Sequence, residues 1–320
     1  MRLLFMGTPQ FAAVSLQCLI AAGHEIVGVV TQPDRPKGRG MELQPSEVKQ
    51  VAVAHQLPLW QPEQVSSASF VDVFRQLGPE LVVVVAFGQK IPPPILFEPK
   101  YGCINVHGSL LPRYRGAAPI QWSLLNGDPA TGVTTMYMDE GWDTGDIILQ
   151  ESLSIGPDEN FGSLYPRLAR LGGELLVRTL AALANGETPR QAQDQALASK
   201  APKIKPEQHL IRWNQPAAAI HNLVRALAPL PGAETFLHRE RLKIMESKVT
   251  ANVSATNSPQ QPGAIIKIVK QEGIWVATAD QPIILTQVQP SGKKMMTAPE
   301  YANGRRLTPG MLFGAMENIG

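Results

Sequence analysis

The first half of the chain alternates short apolar runs with segments whose apolar residues recur at helical spacing. Apolar runs at 2–6 and 25–31 flank a helical segment at 11–22, and Gly23 ends that segment. This order predicts a strand, a helix and a parallel strand, the unit that begins a doubly wound α/β sheet. The Val-rich run at 81–85 is typical of a central strand that is buried on both faces. We therefore predict an α/β amino-terminal domain with a doubly wound, mostly parallel, Rossmann-like sheet.

The last third of the chain has a different pattern, in which one helix is followed by short strands. The helix is predicted at 216–227, with one apolar face formed by Ile220, Leu223, Val224 and Leu227. Short strands are predicted at 234–237, 242–246, 263–269, 274–279 and 283–288. Short strands at even spacing favour a small closed barrel of the OB-like class, although the pattern alone also fits a sandwich.

Two features between these patterns suggest where the domains divide. Residues 160–184 form a long helical segment, in which the adjacent Gly172 and Gly173 predict a break. Residues 188–206 are polar and then basic, with prolines spaced along them, which is typical of a semi-extended linker. The predicted organisation is a first domain at 1–187, a linker at 188–206 and a second domain at 207–320.

Composition narrows the class of protein. Hydrophobic residues make up 44% of the 320 residues and charged residues 18%, and no apolar run approaches the length of a membrane span. The first residues lead directly into a predicted core strand without a targeting leader, so we expect a cytoplasmic protein with no membrane association. The two cysteines and six histidines show no metal-ligand spacing, so we predict no metal.

Charge is unevenly distributed between the two predicted domains. The net charge is +2, but residues 207–320 carry 12 Lys and Arg against 8 Asp and Glu. The last third of the chain is therefore mildly basic, which is compatible with a nucleic-acid partner and also with an ordinary solvated surface.

The predicted strand at 103–107 carries two polar side chains at its end. A period of two places Asn105 and His107 on one face, and Gly108 and Ser109 then end the strand. Ligands of open α/β sheets bind at the carboxyl ends of strands. An imidazole transfers protons near neutral pH, and an amide N–H stabilises an oxyanion that forms on a carbonyl carbon.

A third polar group follows a later strand. The stretch at 136–146 follows this strand and carries carboxylates in a Gly-bounded loop, among them Asp139, Asp143 and Asp146. A carboxylate facing His107 would fix the tautomer of the imidazole and raise its basicity. The dinucleotide fingerprint G-x-G-x-x-G is missing after the first strand, which argues against a nicotinamide cofactor.

The longer motifs around these residues resemble those of a known enzyme family. The segment NVHGSLLPRYRGAAPIQ at 105–121, together with GWDTGD at 141–146, resembles the signature of the folate-dependent formyltransferases. The segments FMGTPQFA at 5–12 and TQPDRP at 31–36 narrow the resemblance to the members that act on initiator methionyl-tRNA. The resemblance extends from about residue 2 to about residue 313.

This resemblance implies a reaction and a set of catalytic residues. A formyl group would pass from 10-formyltetrahydrofolate, as the donor co-substrate, to the α-amino group of methionine on initiator tRNA. Asn105 would stabilise the oxyanion, His107 would move protons, and Asp143 would hold His107. Whether His107 or Asp143 takes the first proton is left open.

The resemblance also implies binding residues for both substrates. The folate site would be lined by Ser109, Leu110, Leu111, Pro112, Phe87 and Gly88. The basic loop at 32–45 would bind the acceptor end of the tRNA through Lys37 and Arg39, although Met41 and Glu42 replace basic residues that are frequent in the family. Lys203 and Lys205 of the linker are further candidates for the RNA backbone. The second domain would be an OB-like tRNA-binding domain, and we expect a monomer.

Three alternative functions share some of these features. A formyltransferase for a small amine, such as glycinamide ribonucleotide or an amino sugar, would contain the same three polar residues but would not require the basic loop or the second domain. A noncatalytic RNA-binding protein would not require all three polar residues. A protein that only binds or hydrolyses folate would not require an OB-like domain.

Overall fold

The structure is a computed structural model that describes residues 1–37, 42–250 and 260–314. Strands of the first part of the chain are β1 Arg2–Gly7, β2 Glu25–Val30, β3 Arg35–Lys37, β4 Glu42–Gln44, β5 Leu59–Trp60, β6 Leu81–Val85, β7 Cys103–His107, β8 Ala130–Tyr137 and β9 Ile147–Ser154. Helices of this part are α1 Gln10–Ala21, α2 Glu47–Ala54, α3 Ala68–Leu77, α4 Pro93–Phe97, α5 Pro119–Leu125 and α6 Phe161–Ala184.

Seven of these strands form one sheet in the order β5-β2-β1-β6-β7-β8-β9. The pairings of β1 with β2 and β6, of β2 with β5 and of β6 with β7 are parallel, whereas β7 and β8 pair antiparallel. Every residue of β6 is buried, as the Val-rich sequence predicts. The predicted Rossmann-like, mostly parallel sheet is confirmed, and β7 lies in its interior.

The predicted break in the long helix is wrong, because α6 continues from Phe161 to Ala184. A Cβ on Gly173 would lie 2.5 Å from Cys18 Sγ of α1, and a Cβ on Gly172 would lie 3.1 Å from a methyl group of Val106. These glycines therefore allow close packing of the helix. The packing offsets their poor helix propensity, which alone suggested the break.

The remaining described elements belong to the last part of the chain. They are the strands β10 Ala233–Leu237, β11 Glu240–Val249, β12 Ile265–Val269, β13 Gly273–Val276, β14 Ile283–Pro290 and β15 Met296–Thr297, and the helices α7 Ala217–Leu227 and α8 Ala298–Arg305. Single 3-10 turns occur at Gln195–Leu197 and Pro206–His209.

These strands form an antiparallel sheet in the order β10-β11-β14-β13-β12, with β15 paired to β14. The segment after α8 bridges both ends of this order, since Leu312 pairs with Ala264 and Gly314 pairs with Phe236. The predicted face of α7 contributes to the core of this sheet through Ile220, Val224 and Leu227. The five predicted strands are confirmed, and the OB-like class remains a prediction.

The described chain divides into two compact units. The first contains residues 1–119, 131–154 and 165–202, and the second contains residues 120–130, 155–164 and 203–320. Residues 188–202, predicted as a linker, therefore group with the first unit. The polar composition of this segment reflects hydrogen bonding within that unit as well as contact with solvent. Among the described residues, no helix is long and apolar enough to cross a membrane.

Loss of the close packing at Gly173 should destabilise the first unit. We expect Gly173→Leu to lower the free energy of unfolding by about 1–3 kcal/mol, because the added side chain must displace Cys18 or α6. Gly304→Leu is the matched control, since Gly304 is also helical but a Cβ added there would meet no described atom within 4 Å. Urea denaturation measures both, and an equal effect at the two sites would contradict the packing explanation.

The stability of the second unit should depend on pH through His221. Its Nε2–H donates to the Pro157 carbonyl at 3.1 Å, and its Nδ1 faces Ser247 Oγ at 3.0 Å. Burial lowers the pKa of His221 below its ordinary value of 6.5, so the unfolded chain binds the proton more readily. Stability should therefore fall as the pH falls through about 6.5.

We expect His221→Gln to reduce the loss of stability between about pH 7.5 and pH 5, because it removes one group that titrates differently in the two states. Urea midpoints at the two pH values measure this difference. His55→Gln is the control, because His55 is exposed. A loss in His221→Gln as large as that in the wild-type chain would contradict the assignment.

Candidate active site

Strand β7 places Asn105 and His107 side by side at its carboxyl end. Ile104 and Val106 are buried on the other face of the strand, with exposed fractions of 0% and 4%. The alternation therefore fixes the direction of the two polar side chains. Both are themselves buried, with exposed fractions of 9% for Asn105 and 6% for His107. Their low exposure limits competition from water for whatever they bind.

The loop between β8 and β9 carries Asp143. Thr144 Oγ1 donates to Asp139 at 2.8 Å and the Gly141 N–H donates to the same carboxylate at 3.0 Å, so hydrogen bonds within the loop stabilise its conformation. A Cβ on Gly145 would overlap the Tyr137 carbonyl oxygen, which explains the glycine there. Asp143 has a φ of 54°, a left-handed conformation that is uncommon for non-glycine residues, although aspartate tolerates it better than most.

The three predicted catalytic side chains meet at one oxygen atom. Asn105 Nδ2 donates to Asp143 Oδ1 at 3.5 Å, and His107 Nδ1 lies 3.7 Å from the same oxygen. The structure therefore brings together an amide, an imidazole and a carboxylate from two separate segments of the chain. This set can stabilise an oxyanion and exchange a proton in one place.

The tautomer of His107 is set by the backbone. His107 Nε2 lies 2.9 Å from the Tyr114 carbonyl oxygen, and because a carbonyl only accepts, Nε2 carries the proton. Nδ1 is then the nitrogen that faces Asp143. The sequence suggested that Asp143 would fix the tautomer, but its oxygen is 3.7 Å from Nδ1, which is beyond hydrogen-bonding distance.

Asp143 is oriented by a second backbone group of the same segment. The Gly116 N–H donates to Asp143 Oδ2 at 2.8 Å, which leaves Oδ1 directed at Asn105 and His107. Gly116 has a φ of 128°, and a Cβ there would lie 2.6 Å from the Ala201 carbonyl oxygen. Position 116 of the motif therefore requires glycine for steric reasons, and the N–H of this glycine also holds the carboxylate.

Two residues near the site were missed by the sequence analysis. Gln193 Nε2 donates to the Asp143 carbonyl at 2.9 Å and to the Gly145 carbonyl at 2.8 Å. The Tyr114 N–H donates to Ser199 Oγ at 2.9 Å. Gln193 and Ser199 both lie in the segment predicted as a linker, and a polar residue in a polar segment gives no pattern that would indicate burial.

The residues predicted to line the folate site follow β7 directly. Ser109 is fully buried and donates from Oγ to the Arg113 carbonyl at 2.6 Å. Leu111 packs with Met136 and Ile147 in a small apolar cluster, whereas Leu110 and Pro112 are half-buried. In this segment, the side chains of Ser109 and Leu111 serve the fold.

Phe87 and Gly88 follow β6, the strand that pairs with β7. The Phe87 side chain is buried in the apolar cluster around β6, and its carbonyl accepts from Gln32 Nε2 at 3.1 Å. Gly88 is exposed with a φ of 88°. Because β6 and β7 are parallel neighbours, these residues lie at the same edge of the sheet as Asn105 and His107.

The predicted basic loop contains the hairpin of β3 and β4, in which the backbone of Lys37 lies opposite the backbone of Glu42 in the antiparallel register. Arg39 and Met41 lie outside the described residues. The base of the hairpin is anchored by Asp34, whose carboxylate binds Lys49 Nζ at 2.6 Å. The hydrogen bond from Lys49 holds the pKa of Asp34 below its usual range.

The remaining basic candidates have separate surroundings. Lys203 and Lys205 are exposed and belong to the second unit, and Lys205 precedes the turn at Pro206–His209. Arg115, which flanks Tyr114 in the motif, directs Nε and Nη2 at Gln193 Oε1, at 2.9 and 2.6 Å. Arg115 therefore contributes to the internal hydrogen bonding of the site.

Asp146 lies at the end of the same loop and forms a separate group. Its carboxylate is 3.6 Å from Arg190 Nη1, and the Arg190 guanidinium lies 3.7 Å from the centre of the Tyr137 ring. Burial raises the pKa of the Tyr137 hydroxyl. Within the described parts of the chain, no group of three or more His, Cys, Asp or Glu is placed to hold a metal ion.

Family comparisons agree with the motifs. Residues 1–180 match the family model of the formyl transferases, and residues 203–306 match the model of the formyl transferase C-terminal domain. A crystal structure of an N-formyltransferase from Helicobacter canadensis, in complex with folinic acid and dTDP-3-aminofucose, superposes with a TM-score of 0.65 at 20% identity. That superposition covers 90% of this chain and 98% of the other chain and supports the fold.

Relatives with higher identity cover the whole chain. The methionyl-tRNA formyltransferase of Moorella thermoacetica is 48% identical over 318 residues, which are 99% of this chain and 100% of that protein. The methionyl-tRNA formyltransferase of Syntrophus aciditrophicus is 46% identical over 312 residues, or 98% of each chain. Identity of this size over the full length, together with the two matched domains, shows that the chain belongs to the methionyl-tRNA formyltransferase family.

Proposed function

We propose that this enzyme transfers the formyl group of 10-formyltetrahydrofolate to the α-amino group of methionine on initiator methionyl-tRNA, for translation initiation. The observation that carries the proposal is that Asn105 Nδ2 and His107 Nδ1 lie 3.5 and 3.7 Å from the same carboxylate oxygen of Asp143. It occurs in a chain that is 48% identical to a methionyl-tRNA formyltransferase. The solved relative from Helicobacter canadensis, which contains folinic acid, supports a folate as the donor.

Asn105 is proposed to stabilise the oxyanion. The methionyl amine attacks the formyl carbon, the carbonyl π bond opens, and negative charge collects on the formyl oxygen. Asn105 Nδ2 carries a second N–H besides the one directed at Asp143, and this group can donate to the oxyanion. One such donor lowers a barrier of this kind by about 3 kcal/mol.

His107 and Asp143 are proposed to handle the protons. The attacking amine must lose one proton and the departing folate nitrogen must gain one, so the site needs a group that accepts and returns it. Since Nε2 is hydrogen-bonded to the Tyr114 carbonyl, Nδ1 is the nitrogen of His107 that can accept a proton, and it faces Asp143 Oδ1. The carboxylate can stabilise the imidazolium that forms, or accept the proton itself.

The folate donor is proposed to bind along the carboxyl ends of β6 and β7. Leu110 and Pro112 are the half-buried side chains of the segment after β7, and Gly88 is exposed after β6. Ser109, Leu111 and Phe87 would support the walls of this site from beneath, because their side chains are buried.

The RNA acceptor is proposed to contact basic groups in both parts of the chain. These groups are Lys37 and Arg39 of the basic loop and Lys203 and Lys205 near the end of the linker. The positive excess of residues 207–320 supports a tRNA-binding role for that domain. In this proposal 1–187 is the catalytic domain and 188–206 is the linker, whose residues 188–202 group with the first unit. We also propose that the protein acts in the cytoplasm as a monomer.

The proposed function is tested by formylation of defined acceptors. Purified protein is incubated with 10-formyltetrahydrofolate and methionine-charged initiator tRNA, with charged elongator tRNA and free methionine in parallel reactions, and formyl-methionine is measured. Formylation of the initiator tRNA alone supports both the reaction and its specificity. Folded protein that formylates none of these acceptors would overturn the proposal and favour a small amine as the substrate.

Loss of any of the three catalytic side chains should abolish most of the turnover. We expect Asn105→Ala, His107→Ala and Asp143→Ala each to lower kcat by at least about 100-fold, because each removes a group that acts in the transition state. Single-turnover formylation measures this loss.

Glu140→Gln is the matched control, because Glu140 is an exposed residue of the Asp143 loop. It should retain kcat near the wild-type value, and urea midpoints should show that all four variants are folded. Near-normal turnover in any of the three alanine variants would rule out the role proposed for that residue.

The two linker lysines should affect RNA binding rather than chemistry. We expect the double variant Lys203→Ala and Lys205→Ala to raise the KM for charged tRNA with kcat unchanged. We also expect it to reduce the slope of log affinity against log salt by about two, as expected for two lost phosphate contacts. Lys100→Ala is the control, since Lys100 is exposed but precedes β7 at the opposite edge of the sheet. An unchanged salt slope in the double variant would contradict these contacts.

A further inference from the structure

Gln193 has a buried side chain, although the sequence predicts a semi-extended linker in this segment. Its exposed fraction is 7%, and its amide is directed at protein groups. Nε2 donates to the carbonyls of Asp143 and Gly145, and Oε1 accepts from the Arg115 guanidinium. One side chain therefore joins the catalytic loop to the segment that follows β7.

The contacts of Gln193 bear on the backbone conformation of Asp143. Asp143 has a φ of 54°, an uncommon left-handed conformation that contacts with neighbouring groups help to maintain. The hydrogen bond from Gln193 to the Asp143 carbonyl, at 2.9 Å, acts on that residue directly. The Gly116 N–H acts on its carboxylate, so the backbone and the side chain of Asp143 are held by different groups.

Ser199 contacts the segment that orients His107. Its Oγ accepts the Tyr114 N–H at 2.9 Å, and its carbonyl accepts the Arg115 N–H at 2.8 Å. Tyr114 has a φ of 63°, again a conformation that needs support. The Tyr114 carbonyl accepts the hydrogen bond from His107 Nε2. By fixing Tyr114, Ser199 therefore helps to orient the imidazole indirectly.

We propose that Gln193 and Ser199 are positioning residues for formyl transfer. Gln193 aligns Asp143 and Ser199 aligns His107, so the segment 193–201 sets the geometry of the two groups that move the proton. This inference rests on the proposed function, and it assigns part of the alignment of the site to a segment outside both sequence motifs.

The expected effect of Gln193 is on turnover. Gln193→Met keeps the length of the side chain but removes both donors and the acceptor, so Asp143 is free to move away from His107. We expect kcat to fall at least about tenfold, since small displacements of catalytic groups are costly, while the KM for 10-formyltetrahydrofolate stays unchanged. Gln191→Met is the matched control, because Gln191 is an exposed glutamine of the polar segment 188–202 that also contains Gln193.

A double-mutant cycle separates positioning from a general effect on the fold. If Gln193 acts through Asp143, the same substitution in an Asp143→Asn background should lower kcat by less than about twofold. A purely structural role would lower kcat by the same factor in both backgrounds. Ser199→Ala is tested in the same way against His107→Ala, where its effect should also disappear.

The outcomes distinguish this inference from the proposed function. If the wild-type chain formylates no acceptor, the proposed function fails before the variants are compared. If the wild-type chain is active and Gln193→Met, shown to be folded by its urea midpoint, keeps at least half of its kcat, the positioning role of Gln193 is overturned. Equal losses in the Asp143→Asn background would overturn it as well.

Discussion

The backbone from Tyr114 to Gly116 holds two of the three proposed catalytic side chains. The Tyr114 carbonyl accepts from His107 Nε2 at 2.9 Å, and the Gly116 N–H donates to Asp143 Oδ2 at 2.8 Å. Tyr114 has a φ of 63°, which is uncommon for a bulky residue and needs support from the surrounding chain, whereas Gly116 adopts its φ of 128° without strain. The orientation of the imidazole and of the carboxylate therefore depends on one turn of backbone.

The sheet supplies the rigid frame for that turn. Strand β7 pairs on one side with β6 and on the other with β8, so Asn105 and His107 project from an interior strand. Strand β8 runs antiparallel to β7, so its last residue, Tyr137, lies opposite Ile104 at the start of β7. The loop that follows turns back, so that Asp143 approaches Asn105 and His107. The site therefore lies where open α/β sheets commonly bind their ligands, and strands buried on both sides keep two of its three side chains fixed.

Two differences between sequence and structure have the same origin. The pair Gly172 and Gly173 suggested a helix break, but close packing against Val106 and Cys18 keeps α6 continuous. The polar segment 188–202 suggested a linker, but Gln193 and Ser199 hydrogen-bond within the first unit. In both cases the local composition is misleading, because the residues that pack against these segments or hydrogen-bond to them are distant in the sequence.

The sequence by itself determined most of the strands and helices and the mostly parallel sheet, but not the short strands β3, β4 and β15 or the helix α8. It also indicated Asn105, His107 and Asp143 as the candidate catalytic residues. These features depend on apolar periodicity and on motifs, both of which are local along the chain. Only the tertiary structure decided that Nε2 of His107 carries its proton, that Gly116 holds Asp143, and that Gln193 is buried. Each of these depends on hydrogen bonds between distant segments, whose partners and angles are fixed only when the chain has folded.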